Sequence, residues 1–136
     1  MTIQSKYQIL PDVNIVFIER IGKFDPGTML STFKEILGDP EFATGMNFLV
    51  DSRQVDYGKA NFVTLSGQKK AWSLTHKNMG SCKVAFLQQD ATNYGISRQA
   101  TSLFFSDVVE RQPFLNKSEA LEWLGLPADT KLPDLF

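Results

Sequence analysis

Short apolar runs alternate along this chain with segments whose apolar residues recur at helical spacing, and Gly or Pro punctuates many of the junctions. Few architectures bury such faces, and a sheet flanked by helices is the simplest. Tyr7-Gln8-Ile9-Leu10 and the run from Val13 to Ile21, joined across Pro11-Asp12, are expected to pair as an antiparallel hairpin. Asp25-Pro26-Gly27 then supplies an N-cap followed by Pro at the first helical position, and Met29, Leu30, Phe33, Ile36 and Leu37 repeat until Gly38 stops them. Met46 to Asp51 reads as a buried strand that stops at an acid and a base. A helix from about Asn61 to Met79 follows, with Leu65, Trp72 and Met79 on one face and Gly80 at its end. Lys83-Val84-Ala85-Phe86-Leu87 forms the next strand. The helix after Asp90-Ala91-Thr92-Asn93 turns Ile96, Ala100, Leu103, Phe104 and Val108 inward. A last strand around Gln112-Pro113-Phe114-Leu115 contains a proline, which suits an edge because proline cannot donate to the ladder. Asn116 with Glu119 resembles a capping box, opening a helix through Leu121, Trp123 and Leu124 that Gly125 closes, and residues 127–136 form a tail.

This order predicts one α/β domain over residues 1–126, with a five-stranded, mainly parallel mixed sheet, an N-terminal hairpin, four helices and right-handed crossovers. A chain of 136 residues fits a single domain, burying roughly 65 to 70% of the surface its unfolded form exposes. Between Val13 and Ile21 both alternating faces are apolar, so both sides of the sheet must be covered there. If the helices lie mostly on one side, the other needs a partner.

Composition narrows function by exclusion. The 14 Lys+Arg are matched by 15 Asp+Glu, so no strongly basic face is expected for nucleic acid. The amino terminus lacks the basic-then-apolar pattern of a secretory signal, no apolar run reaches the 18 or so residues of a membrane span, and a cytoplasmic location is expected. One Cys and one His make neither an internal disulfide nor a zinc cluster, and no cofactor is expected.

Several stretches together carry a family resemblance: Asp39-Pro40-Glu41-Phe42, Leu49-Val50-Asp51-Ser52-Arg53, Tyr94-Gly95-Ile96-Ser97-Arg98 and Glu119-Ala120-Leu121-Glu122-Trp123-Leu124-Gly125. With the order of elements, they resemble the SpoIIAA-like family of the STAS domains, named for sulphate transporters and anti-sigma-factor antagonists and related in fold to CRAL-TRIO lipid-binding domains. The likeness spans about Tyr7 to Leu126. It implies successive βα units with strands in roughly sequential order, and a domain that contacts a partner or small ligand instead of turning over a substrate. In the antagonists that this fold resembles, an Asp-Ser-Ser-Gly-like turn after the third strand carries a serine that a partner kinase phosphorylates. Here the corresponding stretch, Val55-Asp56-Tyr57-Gly58-Lys59-Ala60-Asn61, has no hydroxyl side chain but that of Tyr57. Ser52 sits too early and Thr64 falls inside the following helix, so the phosphoswitch is not carried over.

In open α/β sheets ligands collect at the carboxyl ends of the strands, which singles out Asp51, Arg53, Tyr94 and Arg98. One reading of them is structural, with Asp51 capping the adjoining loop and Arg98 bridging back to it. The other is functional: Arg53 and Arg98, with the amides at the Asn93-Tyr94-Gly95 helix start and Tyr94 as a wall, hold an anionic group. Cys82 is expected to be a small buried hydrophobe, Lys83 to face the other way, and His76 to be a solvated imidazole on a polar helix. Trp72, Trp123 and the eleven Phe are assigned to core and interface. No nucleophile-base pair stands out. Two functions survive. The first is a non-enzymatic interaction or regulatory module that self-associates as a homodimer, through its tail or sheet, or meets another protein. The second is a binder of a small anionic, apolar or lipid-like ligand.

Overall fold

The structure, a computed structural model, describes residues 2–58, 69–103 and 106–136. Five strands, β1 (Gln4–Leu10), β2 (Ile15–Lys23), β3 (Asn47–Asp56), β4 (Cys82–Leu87) and β5 (Val109–Phe114), form one sheet in the order β1-β2-β3-β4-β5. The hairpin β1-β2 is antiparallel and every other pairing is parallel, as expected for the mixed sheet. Its turn takes two residues more than the sequence suggested. Pro11–Val13 makes a 3-10 turn closed by Asn14 in the left-handed region (φ 55°), so β2 begins at Ile15. Asparagine is among the few residues that tolerate this geometry.

Helix α1 (Pro26–Leu37) starts where the caps predicted, with Gly27 N donating to Asp25 Oδ1 at 3.0 Å. Helix α2 is described over Lys69–Met79; its expected start near Asn61 and Leu65 lie outside the described residues. Helix α3 runs Ala91–Leu103 and α4 Lys117–Trp123, where Asn116 accepts from Ser118 N and Glu119 N. Phe104 also lies outside the described residues. Val108 is corrected: it stands beyond α3 and is 43% exposed.

Sequential parallel strands joined by right-handed crossovers place all crossover helices on one face. That face carries Val16, Ile18, Phe48, Val50, Val84 and Phe86, buried against Phe33 and Ile36 of α1 and Trp72 and Met79 of α2, with Ile96 of α3 packed alongside. Phe33 makes ring contacts with Phe48 (4.9 Å) and Trp72 (5.1 Å). The opposite face, Phe17, Leu49, Ala85 and Leu87, has one helix, α4, bringing Ala120, Leu121 and Leu124. Its remaining cover comes from the chain's own tail. Leu132 and Leu135 pack on this layer, Leu135 N donates to Glu19 Oε1 at 3.0 Å, and Lys6 Nζ lies 4.8 Å from the Phe136 ring centre. No helix among the described residues is long and apolar enough to cross a membrane.

Candidate functional site

The carboxyl ends of the strands do not finish together. β4 makes its last pairing to β3 at Leu87 and Asp51, whereas β2 and β3 stay paired to Lys23 and Asp56, with β1 alongside β2 to Ile21 and Thr2 bridging Lys23, and a Phe24 N to Asp56 O bond of 2.7 Å extends the pair. The expectation that the strand stops at Asp51 is therefore corrected. Asp51 marks where the sheet narrows, and an irregularity between Glu19 and Ile21 of β2 accompanies it.

Asp51 and Arg53 stand two residues apart at the register irregularity between β2 and β3. Arg53 grips Asp51 with a fork, Nε to Oδ1 at 3.0 Å and Nη2 to Oδ2 at 2.8 Å, while its backbone N donates to Oδ1 at 3.1 Å. Hydrogen bonding to Asp51 holds the Arg53 guanidinium above its ordinary value against partial burial, and Glu19 adds to the effect. This is the one ion pair among the described residues. Arg98 is exposed on α3 and no bridge from it to Asp51 forms among them; Tyr94 is half-buried about one turn earlier on the same helix. The structure thus joins two of the four expected residues and leaves Tyr94 and Arg98 on α3.

An open groove of about 550 Å³ runs between the end of the β2-β3 pair, Arg53 to Gly58, and the start of α3, including Asp90 and Asn93. Its α3 amides are already served from within, since Asn93 N donates to Asp90 Oδ1 at 2.9 Å. Asp56 likewise takes the Gly58 amide at 2.9 Å.

The sequence reading missed three further polar residues. Ile18, Val50 and Phe86 are laterally paired; two residues on from each stand Arg20, at the irregularity of β2, Ser52 of β3, and Gln88, one residue past the end of β4. All three are buried, Arg20 to 3% exposure and Ser52 to 0%. Among the described residues, Arg20 Nε and Nη2, Ser52 Oγ and Gln88 Oε1 have no hydrogen-bond partner. Burial pushes the Arg20 guanidinium below its ordinary value, opposed by the neighbouring Tyr57 hydroxyl and Asp25. Tyr57, whose hydroxyl accepts from Gln88 Nε2 at 3.1 Å and whose ring meets Phe24 at 5.2 Å, also lines the outer groove. It is the wall between groove and row.

No protein-family model matches the chain, and no curated protein matches it. Among solved structures it is similar to an uncharacterised DUF3478-family protein with a SpoIIAA-like fold from Shewanella loihica PV-4, at 20% sequence identity and a TM-score of 0.57 over 90% of this chain and 93% of that one. The fold is SpoIIAA-like. The strand order and βα units implied by the resemblance are those observed. Within this SpoIIAA-like fold the stretch matched to the switch turn begins inside β3, at Val55 and Asp56, and passes through Tyr57 and Gly58; residues 59–61 and Thr64 lie outside the described residues. Ser52, weighed beside it, is a fully buried hydroxyl.

The other polar candidates of the SpoIIAA-like fold are locked in its interior. Cys82 is buried and its thiol is pushed up to about 11 by desolvation. His76 corrects the sequence reading: it is 3% exposed, with its ring 5.7 Å from Trp72 and Nε2 3.3 Å from Arg111 Nη1. A guanidinium only donates, so Nε2 accepts and the imidazole proton sits on Nδ1. Arg111 itself lies over the Trp72 and Phe86 rings at 4.9 and 4.8 Å. Lys83 points to the α4 side as expected, donating to Trp123 O at 3.1 Å.

Proposed function

We propose that the chain is a non-enzymatic, STAS-like regulatory module that contacts a partner at the carboxyl rim of its sheet and carries no phosphorylation switch. The observation behind this reading is the open, polar groove between the end of the β2-β3 pair and the start of α3, at the end of an α/β sheet where recognition collects. A turnover site wants a nucleophile or base free to change protonation near neutral pH. Cys82 and His76 are buried and shifted away from that range. Self-association belongs to the same reading, as a symmetric dimer burying at least about 1,000 Å². With Leu132 and Leu135 partly buried against the sheet, exposed Leu74, Val108, Leu115 and Phe136 are the large apolar positions open to it among the described residues.

A second reading, the binding of a small anionic ligand, is favoured by the buried row of Arg20, Ser52 and Gln88. A Phe-lined cavity is not its support: four open depressions of about 330 to 570 Å³ have no Phe in their walls. Native mass spectrometry of the protein recovered from its source cells tests the partner reading. The expected result is a bound species lost from an Arg53→Ala, Tyr57→Ala double variant and kept by Lys34→Ala, a change at an exposed position of α1. A species held equally by both variants takes the rim out of the account.

A further inference from the structure

We propose that the Arg20, Ser52 and Gln88 row is a binding site for a small organic acid whose carboxylate lies beside a hydroxyl. This deepens the second reading above and rests on it. The argument starts from two arginines on adjacent strands. Arg53 uses Nε and Nη2 as a parallel fork and fills it with the Asp51 carboxylate. Arg20, more deeply buried, presents the same two atoms with no partner among the described residues.

A buried guanidinium with its fork empty is costly, because the Tyr57 hydroxyl and Asp25 offset its desolvation only in part. Planar two-oxygen anions fit that fork in bidentate fashion, as Asp51 does for Arg53. The neighbouring atoms add the rest of the specification. Ser52 Oγ, on the adjoining strand and without a partner, can donate to the same anion. Gln88 turns its Nε2 to the Tyr57 hydroxyl and leaves Oε1 as an unmet acceptor. An acceptor is met only by a donor, which the ligand must bring next to its carboxylate; a hydroxyl does this. Tyr57 borders both the row and the outer groove, so the route in passes its ring.

The experiment titrates the purified full chain with glycolate, acetate and inorganic phosphate, following calorimetric heats and the melting temperature. Glycolate is expected to bind and to raise the melting temperature, with acetate weaker because it lacks the donor. Arg20→Met should weaken glycolate binding at least about tenfold, the loss expected of a charge-assisted pair. The same variant should melt higher than the wild type without ligand, since an apolar side chain replaces a buried charge whose fork is unmet. Ser52→Ala should weaken glycolate binding while leaving the fold intact, and Lys77→Met, a surface cation on α2, should leave it unchanged. Wild-type protein that ignores glycolate and acetate overturns the site. So does glycolate binding that survives undiminished in Arg20→Met. A phosphate response exceeding that of glycolate overturns the carboxylate assignment. None of these failures touches partner capture at the groove, which is read from other variants.

Discussion

His76 shows how one contact decides a residue's chemistry. Desolvation, followed by the Arg111 charge, lowers its value from 6.5 to about 4. A base depressed on folding binds protons more readily when unfolded, so its contribution to stability is complete above pH 6.5 and is lost as the pH falls from there toward 4. The midpoint of urea unfolding is therefore expected to drop between these values. His76→Gln keeps an acceptor for Arg111 but does not titrate, and should flatten that drop; an identical pH profile in wild type and variant would remove His76 as its source. The sequence hid this residue because its partner, Arg111, is 35 positions away on β5. Arg20, Ser52 and Gln88 were hidden for a related reason. Polar residues just past an apolar run look like a strand reaching water, and the burial of these three shows only in the folded sheet.

Element ends follow the same division between local and distant causes. α1 could be read from Asp25-Pro26 and Gly38 because its cap is made by neighbours in sequence. The length of β3 could not, since Ser52 to Asp56 are strand only through pairing with β2. Two glycines provide a test at this scale. Gly95 sits within α3 with nothing near the position its Cβ would take, and Gly95→Ala should stabilise by about 0.5–1 kcal/mol through helix propensity. Gly22 of β2 has φ +110° and would bring a Cβ within 2.6 Å of Thr2 O. Gly22→Ala should cost about 1–3 kcal/mol. Chemical unfolding of both variants checks the pair, and a change of the same sign in each would contradict the argument.

For the molecule as a whole, the tail is the cover that an otherwise under-roofed sheet face requires. The sequence called for such a cover over Val13 to Ile21, and left its source open. Deleting residues 127–136 removes Leu132 and Leu135 from that layer and should cost about 2–4 kcal/mol at the usual value of a partly buried leucine. It should also bare an apolar face. Denaturation curves measure the first effect. Light scattering measures the second, as a shift of the truncated protein toward larger species relative to the intact chain of 15.3 kDa; an unchanged curve and mass would mean the tail is not part of the fold's support.

Pro113 has a consequence of a different kind. Val108 O and Phe114 O accept from Cys82 N and Gln88 N at 3.0 and 2.8 Å, so the even-numbered residues of this strand turn their peptide groups toward β4 and Pro113 turns its own outward. A neighbouring chain trying to lengthen the sheet on that side would find a missing amide in the middle of the seam. Growth into fibrils by lateral stacking is blunted there by one ring. Pro113→Val would supply the seam with the donor it lacks.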